Sequence, residues 1–288
     1  MKNKIIVTKA SGLTEPFSID KLRKSLLRSE ATPDEIHSVI EALRPKLYQG
    51  ISTQKIYSEA FRLLRQLSKS HAAQYYLKKG IMDLGPSGFP FEQLVGELFK
   101  RQGYAVEIGK ILQGKCVTHE IDVIAEKESE TVFVECKYRN RPGMAVDVKT
   151  PLYIHSRFED VLVLRQNKKG SFIGCIATNA KFTGDAIDYA LCKQMRLLSW
   201  DYPKDNSLRD LINDAGLYPL TCLPSLTVAE KHWLLKHNYV LAKEVYQNEK
   251  LLLQAGVKHS RLQSVKEDGK KLCLKKSGDF SIQPIPNS

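Results

Sequence analysis

The sequence predicts a mixed α/β protein built from three successive parts. The first observation is a pair of short strand-like segments near the N-terminus, followed by several helices. The second is a central stretch in which an amphipathic helix precedes strand-like runs and a strand-helix-strand unit, an order typical of a mixed sheet flanked by helices. The third is a helical pattern from about residue 207 onward. We therefore divide the chain into residues 1–87, 88–204 and 205–288.

The first part is predicted to be a β-hairpin followed by four helices. Strand-like segments at 5–8 and 15–17 form the hairpin, and Ser and Thr residues that favour helix caps mark where helices begin. The predicted helix starts are Ser18, Thr32, the segment 50–53 and Ala72. On the first helix, the residues predicted to share one apolar side are Leu22, Leu26 and Leu27.

The second part is predicted to start after the turn-forming cluster at 85–88. An amphipathic helix over 91–101 has apolar residues at helical spacing and ends at Gly103. The strand-like runs that follow are 104–108, 121–125, 131–136, 161–164, 172–177 and 196–200, with a helix over 186–192 before the last of them.

The third part is predicted to be helical and to end in a basic tail. Its helices cover 208–215, 228–236 and 240–253. The stretch 257–276 holds seven Lys or Arg residues against two acidic ones, and we expect it to fray. Such a tail can hold phosphates, or it can be a solvated surface without a partner.

The charge of the chain indicates a partner class. Lys and Arg number 44 against 32 Asp and Glu, which gives a net charge of +12 and a pI near 9.3. Such a field attracts polyanions, and nucleic acid is the first candidate. The alternative is a basic surface that serves only solubility, and charge alone does not decide between the two.

Cysteine usage and hydropathy predict a soluble cytoplasmic protein without a membrane partner. The six cysteines are scattered with no C-x-x-C pair, so a disulfide or zinc framework is not expected. The N-terminal apolar run is too short for a signal peptide, and no run approaches about 18 apolar residues.

The segment TVFVECKYRN at 131–140 places charged residues at the end of a strand. Side chains alternate along a strand, so Glu135 and Lys137 share one face and Cys136 points to the other, where we expect it to be a buried small hydrophobe. Pairing this strand with IDVIA at 121–125 sets Asp122 opposite Glu135. Opposed carboxylates repel, so a proton or a metal cation is expected between them.

Two carboxylates and a lysine at this position favour phosphodiester chemistry. Asp122 and Glu135 are oxygen ligands of the kind that Mg²⁺ prefers, and Lys137 can stabilise charge or position the attacking water. The alternative is a surface salt-bridge cluster. The prediction also depends on the strand register, because a shift of one residue would turn Asp122 to the other face.

Asp122 followed by the Glu135-Cys136-Lys137 triplet resembles the core of the PD-(D/E)xK nucleases. The surrounding sequence, GFPFEQLVGELFKRQGYAVE, HEIDVIA, VFVECKY and IATNAKFTGDAIDYA, resembles Mrr-type restriction endonucleases over roughly residues 88–201. By that resemblance Glu92, on the preceding helix, takes a catalytic role in the metal shell or in orienting water. The alternative interpretation is that Glu92 only complements the helix dipole as an acidic residue in the first turn.

The resemblance implies an Mg²⁺-dependent endonuclease that hydrolyses DNA phosphodiesters in a restriction system. Here Cys136 stands where the family commonly has Ala. Two other functions stay open. One is a nucleotide-responsive DNA-binding regulator with an inactive nuclease fold. The other is a nuclease specific for DNA junctions or damage, because the same strand resembles that of archaeal Holliday-junction resolvases.

The N-terminal sequences IIVTKASGLTEPFSIDKLRKSL and GISTQKIYSEAF resemble an ATP-cone, a nucleotide-sensing module, over about residues 3–84. The resemblance implies that ATP or dATP acts as an effector, bound by Val7, Lys9, Glu15, Lys21 and Thr53. The hairpin turn reads Lys9-Ala10-Ser11-Gly12 where the family commonly has Lys-Arg-x-Gly, so one phosphate or base contact is lost. The alternatives are a module kept only for packing or for dimerisation, and a homo-oligomer is left open.

Overall fold

The computed structural model describes residues 4–165 and 170–274, which form a mixed α/β fold. The strands are β1 Ile6–Thr8, β2 Thr14–Pro16, β3 Ala105–Gln113, β4 Thr118–Lys127, β5 Glu130–Lys137, β6 Ala145–Val146, β7 Ser171–Thr178, β8 Lys181–Phe182 and β9 Arg196–Leu198. The helices are α1 Ile19–Leu27, α2 Pro33–Leu43, α3 Thr53–Leu67, α4 Lys69–Tyr75, α5 Leu77–Met82, α6 Phe89–Arg101, α7 Lys149–Val163, α8 Gly184–Cys192, α9 Leu208–Ala215, α10 Val228–Lys236, α11 Ala242–Tyr246, α12 Glu249–Gln254 and α13 His259–Cys273. No helix among these residues is both long and apolar enough to cross a membrane.

The N-terminal part is a hairpin with helices and has a core of its own. β1 and β2 pair antiparallel, and the two predicted caps are present: Ser18 caps α1, and Thr32 and Glu35 form a capping box on α2. Ser52, within the predicted start segment 50–53, caps α3. The prediction for Leu27 is wrong, because this side chain is 52% exposed. It follows Leu26 by one residue, which turns it about 100° around the helix.

The central part is a five-stranded mixed sheet with the order β3-β4-β5-β7-β9. β3, β4 and β5 pair antiparallel, whereas β5, β7 and β9 are parallel. Side chains from β5 alternate between two cores. Val132 and Val134 join α6 and the C-terminal helices in the central core, while Phe133 joins α7 and α8 on the opposite face in what we call the α7-side core. The sheet is therefore covered on both faces.

The predicted strand at 161–164 is wrong, because 161–163 form the last turn of α7. Ile154, Phe158 and Val161 are buried at intervals of four and three residues and pack in the α7-side core. A short apolar run cannot be assigned to helix or strand by composition, and here the helical spacing of the preceding residues decides.

The C-terminal helices α9 to α13 pack on the same central core as α6. The predicted fraying tail is wrong for 259–273, since α13 buries Leu262, Val265 and Leu272 and exposes Lys270 and Lys271. Lys275 and Lys276 lie outside the described residues. The predicted helix over 240–253 is divided in two, because the Asn248 side chain caps α12 at 3.0 Å from the Leu251 N–H.

The turn at 85–88 lies between α5 and α6 in the chain, yet both helices pack in the same core. Leu77 and Ile81 on α5 lie in the central core together with Phe91 on α6. Tyr138, which follows β5, donates a hydrogen bond to the Met82 carbonyl at 2.6 Å. The end of the N-terminal part is therefore fixed against the strand that carries the candidate catalytic residues.

Candidate active site

The pairing of β4 with β5 has the register that the sequence predicts. Val123 faces Val134 and Ala125 faces Val132, and the ladder ends at Val123. At Asp122, one residue before Val123, the side-chain carboxylate takes the place of a backbone acceptor on β4. Its Oδ2 accepts a hydrogen bond from the Cys136 N–H at 2.6 Å.

Strict alternation along β4 breaks at Asp122. Ile121 and Ile124 both lie in the α7-side core, although residues three apart on a regular strand point to opposite faces. Gly109, which the register sets opposite Asp122 on β3, has a φ of +65°, in the region that glycine favours. The sequence predicts that Asp122 and Glu135 face each other on one side of the sheet, and the break in alternation at Asp122 changes this arrangement. The Asp122 carboxylate lies against the β5 backbone, where it still interacts with the charge of Glu135.

Glu135 is buried, with 5% of its surface exposed, and it is held between two cations. One carboxylate oxygen accepts from the Lys137 ammonium, and the other accepts from Arg157 Nη1 at 2.7 Å. Arg157 also donates to the Tyr153 hydroxyl at 3.0 Å and to the Glu120 carbonyl at 2.5 Å. Sequence reasoning missed Arg157. The i,i+4 spacing of Tyr153 and Arg157 on α7 was the available signal, but the adjacent 161–164 run was assigned to a strand.

Lys137 is a cation in this environment. Burial by itself would lower the pKa of its ammonium, but the hydrogen bond and charge of Glu135 outweigh that effect and raise the pKa. The ammonium lies 5.4 Å from the centre of the Tyr153 ring. A protonated lysine can stabilise negative charge on a phosphate oxygen, and it cannot act as a general base.

Glu92 lies in the first turn of α6 and shares the electrostatic environment of Asp122. Burial raises the pKa of Glu92 to about 7, with further contributions from the charges of Asp122, Glu120 and Glu135. Burial and then the Glu135 charge raise the pKa of Asp122 to about 6, against the opposing Cys136 hydrogen bond. A carboxyl whose pKa is near 7 can exchange protons with water at neutral pH.

Burial is the main cause of both raised pKa values and the neighbouring carboxylates add to it, so a divalent cation bound here would favour the ionised forms. In residues 4–165 and 170–274, no group of three or more His, Cys, Asp or Glu side chains is arranged to hold a metal. Asp122 and Glu135 are oxygen donors, and a cation that takes one or two protein carboxylates fills its other positions with water and phosphate. Mg²⁺ is such a cation.

A cavity of about 170 Å³ lies in the N-terminal part at the hairpin. Four of the five predicted nucleotide contacts line it, namely Val7, Glu15, Lys21 and Thr53. The fifth, Lys9, does not line the cavity but forms an ion pair with Glu15 at 2.7 Å, and Lys21 pairs with the same carboxylate at 3.0 Å. Two cations thus meet at one edge of the cavity.

The rest of this cavity is apolar and aromatic. Phe17, Tyr57 and Tyr75 line it, and the two tyrosine rings stack with centres 4.8 Å apart. The Tyr57 hydroxyl donates to the Tyr75 carbonyl at 2.8 Å, which fixes the ring. An aromatic wall beside paired lysines suits a ligand that has a flat ring and phosphates.

Two domain families match this chain. The restriction endonuclease family matches residues 86–202, and the AF1548-like C-terminal family matches residues 218–273. An uncharacterized protein of Archaeoglobus fulgidus is 36% identical over 129 residues, which cover 45% of this chain and 71% of that protein. Both matched domains lie C-terminal to residue 85, so nucleotide binding by the first part stays a prediction.

Two solved structures are similar to this chain to different degrees. The crystal structure of AF1548, a protein of unknown function, has a TM-score of 0.54 at 29% identity and covers 65% of this chain and 98% of its own. The MspJI restriction endonuclease in complex with a 27-mer oligonucleotide has a TM-score of 0.27 at 12% identity, covering 77% of this chain and 44% of its own.

Proposed function

The chain belongs to the family of the Archaeoglobus fulgidus protein and carries a restriction-endonuclease domain followed by an AF1548-like C-terminal domain, and from this premise we propose that it is an Mg²⁺-dependent DNA endonuclease regulated by ATP or dATP. The observation that carries the proposal is the arrangement at the end of β5. There Asp122, Glu135 and Lys137 converge, with burial and mutual repulsion raising the pKa of Asp122.

Each residue has a defined task in this proposal. Asp122 and Glu135 hold Mg²⁺, which when bound would polarise the phosphodiester and activate water. Lys137 stabilises the charge that develops on the phosphate oxygens, and Arg157 fixes the Glu135 carboxylate from the other side. Glu92 accepts a proton from water, which its raised pKa suits at neutral pH.

The direct test is cleavage of defined DNAs by the purified protein. Supercoiled plasmid, methylated plasmid and a four-way junction are each incubated with Mg²⁺, with and without ATP, and with EDTA as the metal-free control. We expect nicked or linear products that require Mg²⁺. No cleavage of any of these DNAs would contradict the proposal, and cleavage confined to the junction would favour the junction-specific alternative.

Metal binding should depend on pH because Mg²⁺ competes with a proton at Asp122. The raised pKa means that the folded state holds this proton up to about pH 6, so it must leave before the metal binds. We expect Mg²⁺ affinity at pH 5.5 to be roughly fourfold lower than at pH 7.5, as measured by calorimetry. Proton release should accompany binding at the lower pH. An affinity equal at both pH values would contradict metal binding at Asp122, and Asp122→Asn serves as the control.

The nucleotide part of the proposal rests on the N-terminal cavity. The aromatic wall would take the base, and Lys9 and Lys21 would exchange Glu15 for the phosphates. The N-terminus of α3, which starts at Thr53, lies at the cavity, and helix N-termini favour anions such as phosphate. The sequence contains no G-x-x-x-x-G-K-[ST] loop, so ATP is proposed as an effector and not as a fuel.

Lys21→Ala should weaken ATP binding by about tenfold, because a charge-assisted contact to phosphate is lost. The measurement is the rise in melting temperature that ATP produces in the unchanged protein and in the variant. Lys24→Ala, on the same helix and outside the cavity, is the matched control and should keep the full rise. If ATP raised the melting temperature equally in both variants, or not at all in the unchanged protein, the result would contradict ATP binding at this cavity.

A further inference from the structure

Another cavity, of about 150 Å³, lies beside the candidate active site and is strongly basic. Its walls are α5, the segment 139–145 after β5, and the turn between β7 and β8. The side chains that line it include four cations, Lys78, Arg139, Arg141 and Lys181, and no carboxylate. We refer to it as the basic pocket.

The walls of the basic pocket are held in place by backbone contacts. The Asn179 side chain bonds the Arg139 backbone twice, accepting from its N–H at 2.8 Å and donating to its carbonyl at 2.7 Å. β6 pairs with β8 next to this contact, which ties the two ends of the pocket together. On the N-terminal side, a β-carbon at Gly143 would lie within 4 Å of Ala10 and Ser11, so the hairpin turn supports the same segment.

The positive charge of the basic pocket is only partly neutralised. Lys181 forms an ion pair with Asp201, which is outside the lining. Lys78 lies over the Trp200 ring at 5.3 Å, and burial together with the charge of Lys181 lowers the pKa of its ammonium. The Arg139 Nε is buried and has no acceptor among the described residues. A rigid pocket with an unused donor and excess positive charge suits an anion.

The position of the pocket indicates which anion it takes. Arg139 follows Lys137 by two residues, so their Cα atoms are at most about 7 Å apart. A DNA strand with its scissile phosphate at Lys137 would carry a neighbouring phosphate within that range. We propose that the basic pocket binds a backbone phosphate of the DNA strand, next to the one that is cleaved. This inference rests on the proposed function and adds a substrate-positioning site, in which Arg139 and Lys78 contact phosphate.

DNA binding without metal tests the pocket separately from catalysis. Fluorescence anisotropy is measured in EDTA with a labelled duplex over a range of salt concentrations. We expect Arg139→Gln and Lys78→Gln each to weaken binding roughly three- to tenfold, and to flatten the dependence of log K on log salt by about one unit. Arg141→Gln, at an exposed position of the same pocket, gives a smaller change of the same sign and guards against a folding defect.

Arg101→Gln is the matched control, since it removes the same charge at an exposed site nine residues from Glu92 along α6, or roughly 13 Å. If Arg101→Gln weakened DNA binding as much as Arg139→Gln, the loss would be a general effect of charge. That result would contradict a phosphate site in the basic pocket. Weaker ATP binding in Arg139→Gln, with DNA binding unchanged, would assign the pocket to a free nucleotide and overturn the strand assignment. Asp122→Asn should bind DNA normally and fail to cut, so loss of cleavage alone concerns the proposed function and not the pocket.

Discussion

Lys137→Met should reduce DNA cleavage by about 10²–10³-fold, a larger loss than the roughly three- to tenfold weakening of DNA binding in EDTA that the removal of one phosphate contact predicts. Methionine keeps an unbranched side chain, one atom shorter, but removes the cation that binds the Glu135 carboxylate at the end of β5. Removing one preorganised group that stabilises transition-state charge typically costs a factor of this size. The measurement is the single-turnover rate on plasmid at saturating Mg²⁺.

Two companion variants separate catalysis from structure in this experiment. Asp122→Asn keeps an acceptor for the Cys136 N–H and removes the charge, so it should abolish cleavage and weaken Mg²⁺ binding measured by calorimetry. Lys127→Met, on β4 and remote from the triplet, should cut at the normal rate. Full activity in either Lys137→Met or Asp122→Asn would show that cleavage occurs elsewhere.

Arg261→Met should lower the free energy of unfolding by about 2 kcal/mol, which corresponds to roughly 4–8 °C in melting temperature. Glu230 on α10 is 5% exposed, and its carboxylate accepts from Arg261 on α13 at 2.5 Å and 3.1 Å. Burial would raise the pKa of Glu230, but the Arg261 bonds lower it, so the carboxylate is charged at neutral pH. The variant would leave this charge buried without its cation. The loss is below that of a fully enclosed pair because Arg261 is one-third exposed.

Lys266→Met is the control for the C-terminal helix. It breaks an exposed ion pair with Glu249 at 3.1 Å, and such pairs contribute about 0–1 kcal/mol. Thermal unfolding of both variants by circular dichroism compares the two losses directly. Equal melting temperatures for Arg261→Met and the unchanged protein would show that α13 is held by apolar packing alone.

Local patterns in the sequence determined much of the fold. The cap at Thr32, the alternation along β5 and the register of Val123 with Val134 were predicted and are confirmed. These features depend on neighbouring residues or on a period of two, so a single sequence carries them. The same reasoning predicted Cys136 as a buried small side chain, which the structure confirms.

Tertiary structure decided what lies around the triplet. Arg157 reaches Glu135 only because α7 crosses one face of the sheet, and the Asp122 carboxylate meets the Cys136 N–H only because strand pairing ends at Val123. The basic pocket joins Lys78 and Arg139, which are 61 residues apart in the chain. Contacts of this kind depend on how helices pack across a sheet. No periodicity in the sequence encodes which distant residues this packing brings together. The sequence determined which residues carry charge at the end of β5, and the packing determined which partners that charge meets.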